Sequence, residues 1–440
     1  MTFSLAVDHA PAERAKIQRA IIAATIGTII EWFDYALYGA ASGLIINRLF
    51  FPQFSTSAGI LAAFETFAVG FFSRPLGGVL ISHFGDRFGR KPALIFTISL
   101  MGVSTVAMGL LPTYAEVGIL APILLIICRL LQGFGAGAEY AGAVTLVAEY
   151  VPSSRKAYFT AYLQAAAIAG IMLAALLFLF VAYLPEDVLF AWAWRIPFLV
   201  SALLLGVALY IRKRLDETSE YVEAMERAVA RREETRAPIL ELFRNSPREV
   251  VCGFLTLTGH NANVYILNTF SLSYMTNTLG MARTDALTAV IIATSTGIVL
   301  TPPMGAVADR VGHARVYLFG AIFTLLFAFP MFAMLDSKNL VLASLALSIA
   351  FGIGFGGLAS AQGAFLANLF PTRCRFSGIA LAREMSALLI AGPTPFIASM
   401  LVDAGGGKPT WVVVYLVSAC AISVVSILVI RSRSHERGSA

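Results

Sequence analysis

The stretch that decides the fold is Gly85 to Pro92, which reads GDRFGRKP, and a weaker copy, ADRVGHAR, occupies Ala308 to Arg315. Both copies place Asp-Arg-x-Gly and a further basic residue in a short polar gap between two long apolar runs. The glycine permits the positive φ that a tight turn can require. A polar turn that occurs once in each half of the chain predicts a duplicated membrane domain, with the two turns acting as latches on one membrane face.

The composition excludes an ordinary soluble domain. Of the 440 residues, 58% are hydrophobic and only 13% are charged, with a net charge of +6, whereas soluble domains are about 45–50% apolar and about 25% charged. The basic residues lie in short loops between apolar runs, so we expect the lipid bilayer, and no nucleic acid, as a partner. The four cysteines show no disulfide or ligand spacing.

Twelve apolar runs are long enough to cross the hydrocarbon core as helices, which takes about 20 residues. They lie at 18–46, 57–83, 92–111, 118–148, 157–184, 191–211, 250–279, 286–307, 314–335, 340–369, 377–402 and 411–430. The sequence therefore predicts an all-α membrane protein with one six-helix half at 1–211 and a second at 250–440. The Arg- and Glu-rich stretch at 212–249 is expected to be a cytoplasmic linker along the membrane surface.

The distribution of basic residues predicts the orientation. If both termini and every second loop are cytoplasmic, most of the 32 Lys and Arg residues fall on that side. The opposite side keeps Arg48, Arg195, Arg283, Lys338 and Lys408. We expect a multi-pass protein of the cell membrane that works as a monomer.

The first span carries two acidic residues and a tyrosine on one helix face. Glu31, Asp34 and Tyr38 stand at i, i+3 and i+7, and a charged group inside the membrane is costly unless it is paired or hydrated. A carboxyl in a low-dielectric pocket favours its neutral form, which suits reversible proton binding. The alternative is a carboxylate that is permanently paired with an intramembrane arginine. We expect Asp34, ahead of Glu31, to bind the transported proton.

The fourth span carries Arg129 roughly 15 Å from its outer end, near the bilayer midplane, at 1.5 Å per residue. Gln132 and Tyr140 lie loosely on the same face. An arginine that never loses its proton can anchor a carboxylate substrate or serve as a counter-ion for Asp34. The sequence leaves both roles open. We predict a substrate site that includes Arg129, Tyr38, Gln132 and Tyr140.

Other polar residues within the spans are further candidates for the substrate site. They are Gln164 in span five, His260, Asn261, Asn263 and Asn268 in span seven, and Arg383 in span eleven. The alternative for the span-seven set is hydrogen bonding between helices. Arg383 and its neighbour Glu384 could instead form a latch with Asp86, and Arg74 is expected to pair locally or to extend to the membrane surface.

The two repeated turns supply the candidates for gating. These residues are Asp86, Arg87, Arg90, Asp309 and Arg310. In each turn the carboxylate lies where a helix end or a nearby arginine can meet it.

Catalytic and cofactor motifs do not support an enzyme. The segment Gly352 to Gly357 satisfies G-x-G-x-x-G, but it lies inside span ten and follows no strand, so helix packing explains it better than dinucleotide binding. No phosphate-binding loop, H-E-x-x-H or G-x-S-x-G occurs. We expect no cofactor and no metal, and a proton gradient as the driving force.

Together these motifs resemble the major facilitator superfamily and, more narrowly, its metabolite:proton symporters, which include shikimate, α-ketoglutarate, citrate and proline/betaine permeases. The resemblance rests on GTIIEWFDYALYG at 27–39, SRPLGGVLISHFGDRFGRK at 73–91, RLLQGFGAGAE at 129–139, WRIPF at 194–198 and LDETSEY at 215–221. It implies proton-driven uptake of a small polar metabolite, with Asp34 in the proton role and Arg129 nearby. Span eleven departs from the family, because Arg383 and Glu384 stand where these permeases often have Tyr and Asn or Gln.

Three functions follow as hypotheses. The leading one is a proton-coupled symporter that imports a small organic acid by alternating access, such as a shikimate- or ketoglutarate-like anion. The second is proton-coupled uptake of a zwitterionic osmolyte such as proline or betaine. The third is a membrane sensor that binds a ligand without moving it.

Overall fold

A computed structural model of the chain describes residues 11–88, 90–137, 155–213, 247–370 and 375–438. Every regular element in these ranges is a helix. The bilayer core holds no water that could bind backbone N–H and C=O groups, and a helix satisfies these groups internally. A chain with this apolar composition is therefore expected to fold into helices.

Helices α1 to α6 form the first half. They are α1 (Pro11–Ala41, Ser42–Ile46 and Asn47–Phe50), α2 (Thr56–Phe88), α3 (Arg90–Leu110), α4 (Leu120–Ala136), α5 (Lys156–Ala182) and α6 (Glu186–Val188, Leu189–Ala193 and Arg195–Lys213).

Helices α7 to α12 form the second half. They are α7 (Pro247–Tyr265, Ile266–Phe270, Ser271–Ser273 and Tyr274–Thr278), α8 (Arg283–Val311), α9 (His313–Leu335), α10 (Leu340–Ile349, Ala350–Phe355 and Gly356–Leu369), α11 (Arg375–Ser386, Ala387–Ala391 and Thr394–Ala404) and α12 (Thr410–Gly438).

Each predicted apolar run has a helical counterpart in the described ranges. Nine helices there are long and apolar enough to cross a membrane, and α6 is a tenth span that bends by 43° between Ala193 and Arg195. The parts of α3 and α4 that are described add two shorter apolar helices, Ile95–Leu110 and Leu120–Ala136. Large side chains such as Leu203 and Phe329 point outward, as expected for helices that face lipid. The predicted linker lies almost entirely outside the described residues.

Several helices contain π-helical turns that the apolar pattern does not predict. They interrupt α1 at Ser42–Ile46, α6 at Leu189–Ala193, α7 at Ile266–Phe270 and Tyr274–Thr278, α10 at Ala350–Phe355, and α11 at Ala387–Ala391. Such turns are rare and are frequent at functional sites. Of these five helices, α1, α7, α10 and α11 pack against the opposite half.

Within the described ranges, four helix pairs provide most of the packing between the two halves. Helix α5 packs against α8 and α10, α2 packs against α11, and α1 packs against the π-helical part of α7. Small residues allow close approach, as is common within membranes. A Cβ atom at Gly305 of α8 would lie 2.7 Å from the carbonyl oxygen of Ala157 in α5. Any site enclosed by α1, α2, α5, α7, α10 and α11 is therefore built from both halves.

Candidate functional site

Arg129 on α4 is fully buried and its guanidinium is held by neutral acceptors. It donates to the side-chain oxygen of Gln132, to the carbonyl of Phe67 at 2.7 Å and to the carbonyl of Thr66 at 3.4 Å. Gly70 on α2 leaves room for it, since a Cβ atom there would lie 2.8 Å from Arg129 Nη2. The close packing of α2 on α4 thus positions this charge.

Aromatic rings cover the same guanidinium. The Arg129 Cζ atom lies 4.1 Å from the ring centroid of Tyr38, 5.0 Å from that of Phe67 and 5.4 Å from that of Tyr35. Among the residues that the structure describes, no carboxylate forms an ion pair with Arg129. Rings attract a cation, but they do not neutralise its charge.

Asp34 does not serve as the counter-ion of Arg129 in this structure. Asp34 as a whole residue is 1% exposed, and its carboxylate accepts a hydrogen bond from Ser201 Oγ on α6 at 2.8 Å. Gln132 connects the two regions, because its Nε2 donates to Thr105 Oγ1 at 2.8 Å and to the backbone carbonyl of Asp34 at 3.5 Å. The predicted neighbourhood of Asp34 and Arg129 exists, and a glutamine lies between them.

Tyr38 on α1 contacts both α2 and Arg129. Its hydroxyl is 2.6 Å from Thr66 Oγ1 on α2, and its ring covers Arg129. Tyr140, the remaining predicted member of this group, lies outside the described residues.

Arg74 on α2 pairs across the two halves, so the expectation of local pairing or extension to the surface is wrong. It donates to both carboxylate oxygens of Glu384 on α11, at 3.0 and 3.3 Å. A second carboxylate oxygen, Glu31 Oε1 on α1, lies 3.7 Å from Arg74 Nη2. Charge-assisted pairs with two parallel hydrogen bonds are the strong ones. Glu384 thus reaches the first half here, while the Asp86 side chain lies outside the described residues.

Two other predicted side chains form hydrogen bonds between helices. Gln164 Nε2 on α5 donates to Gln362 Oε1 on α10 at 3.0 Å, across the halves. Asn261 Nδ2 on α7 donates to Ser386 Oγ on α11 at 2.8 Å. The second contact fits the alternative of interhelical hydrogen bonding for the span-seven set.

His260, Asn263 and Asn268 are buried on α7. The His260 ring lies 5.2 Å from that of Phe355 on α10. Asn263 lines a small pocket whose walls come from α7, α9, α10 and α12. Neither polar atom of the Asn263 side chain has a hydrogen-bond partner within the described ranges. Asn263 therefore faces the interior of the second half and not the first half.

The second repeated turn joins the halves at the cytoplasmic end. The Asp309 carboxylate accepts hydrogen bonds from the backbone N–H groups of Ala157 and Tyr158, both at 2.9 Å, and His313 Nε2 lies 3.2 Å from it. A carboxylate at a helix N-terminus satisfies unpaired N–H groups and the helix dipole. Arg310 is exposed beside it. The side chains of Asp86, Arg87 and Arg90 lie outside the described residues.

Other contacts join the halves at the outer end. Arg283 on α8 pairs with Glu186 on α6 at 2.9 Å, and Arg48 lies 3.7 Å from the same carboxylate. Asn277 Nδ2 on α7 donates to the carbonyl of Gly43 on α1 at 2.6 Å. Contacts between the halves therefore exist at both membrane faces.

A cluster of aromatic side chains lies between the halves, and the sequence motifs do not predict it. Trp32 stacks near Tyr265 with ring centroids 6.4 Å apart, and Tyr265 also contacts Phe67 at 5.8 Å and Phe71 at 5.6 Å. Tyr35 packs on Phe71 at 5.5 Å. The only sequence signal is that Trp32 and Tyr35 flank Asp34 within the first-span motif. Within the described ranges, no group of three or more His, Cys, Asp or Glu side chains could hold a metal ion.

Similarity to known proteins covers nearly the whole chain. The family described as "Sugar (and other) transporter" matches residues 20–233, and the Major Facilitator Superfamily matches residues 250–439. The shikimate transporter of Escherichia coli K12 is 33% identical over 428 residues, which cover 96% of this chain and 97% of that protein. The chain belongs to the major facilitator superfamily. It is therefore a membrane transporter of small molecules and not an enzyme, and it resides in the cell membrane.

Other members of the superfamily are similar to a comparable degree. The proline/betaine transporter of Salmonella typhimurium LT2 is 34% identical over 397 residues, covering 88% of this chain and 78% of that protein. The crystal structure of a D-xylose-proton symporter has a TM-score of 0.72 at 19% identity, covering 94% of this chain and 97% of that one. At this identity the solved structure supports the fold alone.

Proposed function

We propose that this transporter imports a small organic acid together with protons, by alternating access. The observation that carries the proposal is Arg129, a fully buried guanidinium with no carboxylate partner among the described residues. A buried charge is costly unless it is paired. An anionic substrate would supply the missing negative charge, and its planar carboxylate suits the guanidinium fork.

Arg74 does not bind the substrate in this scheme. Its positive charge is already paired with Glu384 and lies 3.7 Å from Glu31. Glu31 is the more distant of the two carboxylates, so protonation of Glu31 would leave Arg74 paired with Glu384. Glu31 and the enclosed carboxylate of Asp34 are therefore the proposed proton carriers. No cofactor enters the scheme.

Proton binding and substrate binding are expected to favour each other. Protonating Asp34 or Glu31 removes a negative charge near Arg129 and Arg74, and this favours the binding of an anion. The proton and the substrate then stabilise each other, as binding linkage requires. The cytoplasmic contacts of Glu384 and Asp309 and the outer contact of Glu186 would open in turn as the halves rock.

The second candidate is uptake of a zwitterion such as proline or betaine. The aromatic rings of Trp32, Tyr35, Phe71 and Tyr265 support it, because ring faces recognise quaternary ammonium groups. The similarity to a proline/betaine transporter is in accord with this. Both candidates present a carboxylate to Arg129.

Reconstituted vesicles test the proposal. The full-length protein is assayed for uptake of shikimate, proline and glycine betaine with and without an inward proton gradient. We expect gradient-dependent accumulation of shikimate. Accumulation of proline or betaine alone would favour the zwitterion, and binding without accumulation of any probe would indicate a sensor.

A further inference from the structure

We propose that the Tyr35 hydroxyl donates a hydrogen bond to the carboxylate of the transported substrate, and that the indole N–H of Trp32 is a second donor. This assignment rests on the proposed function, since it takes a carboxylate as the ligand. It adds two residues of α1 to the substrate site and explains how an acid is held beside Arg129.

The first observation is an unpaired hydroxyl in the membrane interior. Tyr35 is 3% exposed, and its hydroxyl has no hydrogen-bond partner among the described residues. Most buried side-chain polar atoms have a hydrogen-bond partner, and each exception calls for an explanation. An acceptor oxygen on the bound substrate would be the missing partner of this hydroxyl.

The second observation is the charge around the ring. The Tyr35 centroid lies 5.2 Å from Arg74 Cζ and 5.4 Å from Arg129 Cζ. Glu384 and Glu31 already offset the charge of Arg74, so the uncompensated positive charge beside this phenol is that of Arg129, which has no carboxylate partner within the described ranges. An anionic acceptor is therefore favoured over a neutral one at this hydroxyl.

The third observation is a second unpaired donor on the same side of α1. Trp32 precedes Tyr35 by three residues, and its Nε1 atom is enclosed without a hydrogen-bond partner in the part of the chain described. A carboxylate has two oxygens with about four acceptor positions, so it can accept from both donors and still face Arg129.

The rings nearby provide a surface for the rest of the substrate. Tyr265 from the second half lies 6.4 Å from Trp32 and 5.6 Å from Phe71 between ring centroids. The donors thus belong to the first half, while the apolar wall spans both halves. A carboxylate attached to a compact carbon skeleton fits this combination.

The experiment uses the full-length protein and the Tyr35→Phe variant, which removes only the hydroxyl and keeps the ring. The matched control is Tyr415→Phe on α12, whose hydroxyl is 2.8 Å from Thr394 Oγ1. Affinity is measured for shikimate, proline and glycine betaine, and for the methyl ester of each probe that binds, because esterification removes the negative charge of the carboxylate. Thermal stability is measured without ligand.

We expect Tyr35→Phe to weaken carboxylate binding about 10-fold or more, the scale of a hydrogen bond to a charged group, and to narrow the preference for the acid over its ester. Trp32→Phe should act in the same direction, and the control should leave affinity unchanged. Because the Tyr35 hydroxyl has no hydrogen-bond partner among the described residues, its removal should not lower the ligand-free melting temperature, whereas the control should lower it.

Three results would overturn the assignment. Equal affinity of Tyr35→Phe and wild type contradicts it while leaving the proposed function intact. A ligand-free melting temperature that falls as far as in the control means that the hydroxyl has another partner. Failure of wild type to bind any of the three carboxylates overturns the proposed function, and this inference with it.

Discussion

Arg74 and Glu384 form a buried ion pair between α2 and α11, with hydrogen bonds of 3.0 and 3.3 Å. Glu31, in the same half as Arg74, lies 3.7 Å from that guanidinium. When α2 and α11 separate, Arg74 therefore keeps a carboxylate nearby. This arrangement lets the pair break without leaving Arg74 buried and uncompensated, which would cost about 3–5 kcal/mol.

The first prediction concerns that pair. Glu384→Gln removes the charge and one strong acceptor, so it should shift the protein toward a cytoplasm-open form. Distances between spin labels at the cytoplasmic ends of α2 and α11 should gain a longer population. An unchanged distance distribution would show that the pair does not hold the halves together.

The outer face offers a matched control. Glu186→Gln removes the partner of Arg283, but the Glu186 side chain is 65% exposed. Exposed ion pairs contribute about 0–1 kcal/mol. The labels at the cytoplasmic ends should therefore report little change in this variant.

The second prediction concerns Asp309. Its two carboxylate oxygens accept from Ala157 N and Tyr158 N, and Asp309→Asn leaves a single acceptor oxygen and no charge. Loss of such a cap costs about 0.5–2 kcal/mol. Hydrogen exchange of the amides in the first turn of α5 should accelerate.

Arg315→Gln serves as the control for this variant. Arg315 is close in sequence, and its Nη1 donates to the carbonyl of Val311 in the same half. Its removal should leave the exchange of α5 unchanged. If Asp309→Asn also leaves the hydrogen exchange of α5 unchanged, Asp309 does not stabilise the first turn of α5.

The fold follows from the sequence because hydropathy and the repeated turn are strong signals in a membrane protein. Element ends are less well determined. The sequence predicts span six at 191–211, whereas α6 begins at Glu186 and bends by 43°. The π-helical turns in α7 and α10 were not predicted, because packing against other helices decides them and the local apolar pattern does not.

The site was only partly predictable, for a different reason. Arg129 is conspicuous because it is a charge inside an apolar run, but its backbone acceptors at Phe67 and Thr66 leave no trace in the sequence. The pairing of Arg74 with Glu384 depends on the register between two helices that are far apart in the chain. Sequence also cannot distinguish a cavity-lining amide from one such as Asn261, which bonds to a neighbouring helix.

The third prediction concerns Asp34. Asp34→Asn removes the proposed proton carrier but keeps an oxygen that can accept from Ser201, so local packing should persist. Proton-driven accumulation in vesicles should be lost, whereas substrate exchange, which needs only binding and rocking, should remain. Full gradient-driven accumulation by the variant would contradict the assignment of Asp34.

Ser201→Ala is the companion variant. It removes the hydrogen bond of 2.8 Å to Asp34 but keeps the titratable carboxyl. Accumulation should therefore survive in this variant, with an altered pH dependence. Loss of accumulation in both variants would indicate a packing defect and not the loss of a proton site.

The central claim is that Arg129 binds the substrate carboxylate, and the most direct test is substrate affinity against pH in wild type and Arg129→Lys. Lysine keeps the charge but loses the planar fork that meets a carboxylate with two hydrogen bonds. Binding should weaken by about 1–3 kcal/mol, and wild-type affinity should rise as pH falls, because protonated Asp34 or Glu31 no longer repels the anion. Equal affinity of the lysine variant, or affinity that is flat from acid to neutral pH, would contradict the account.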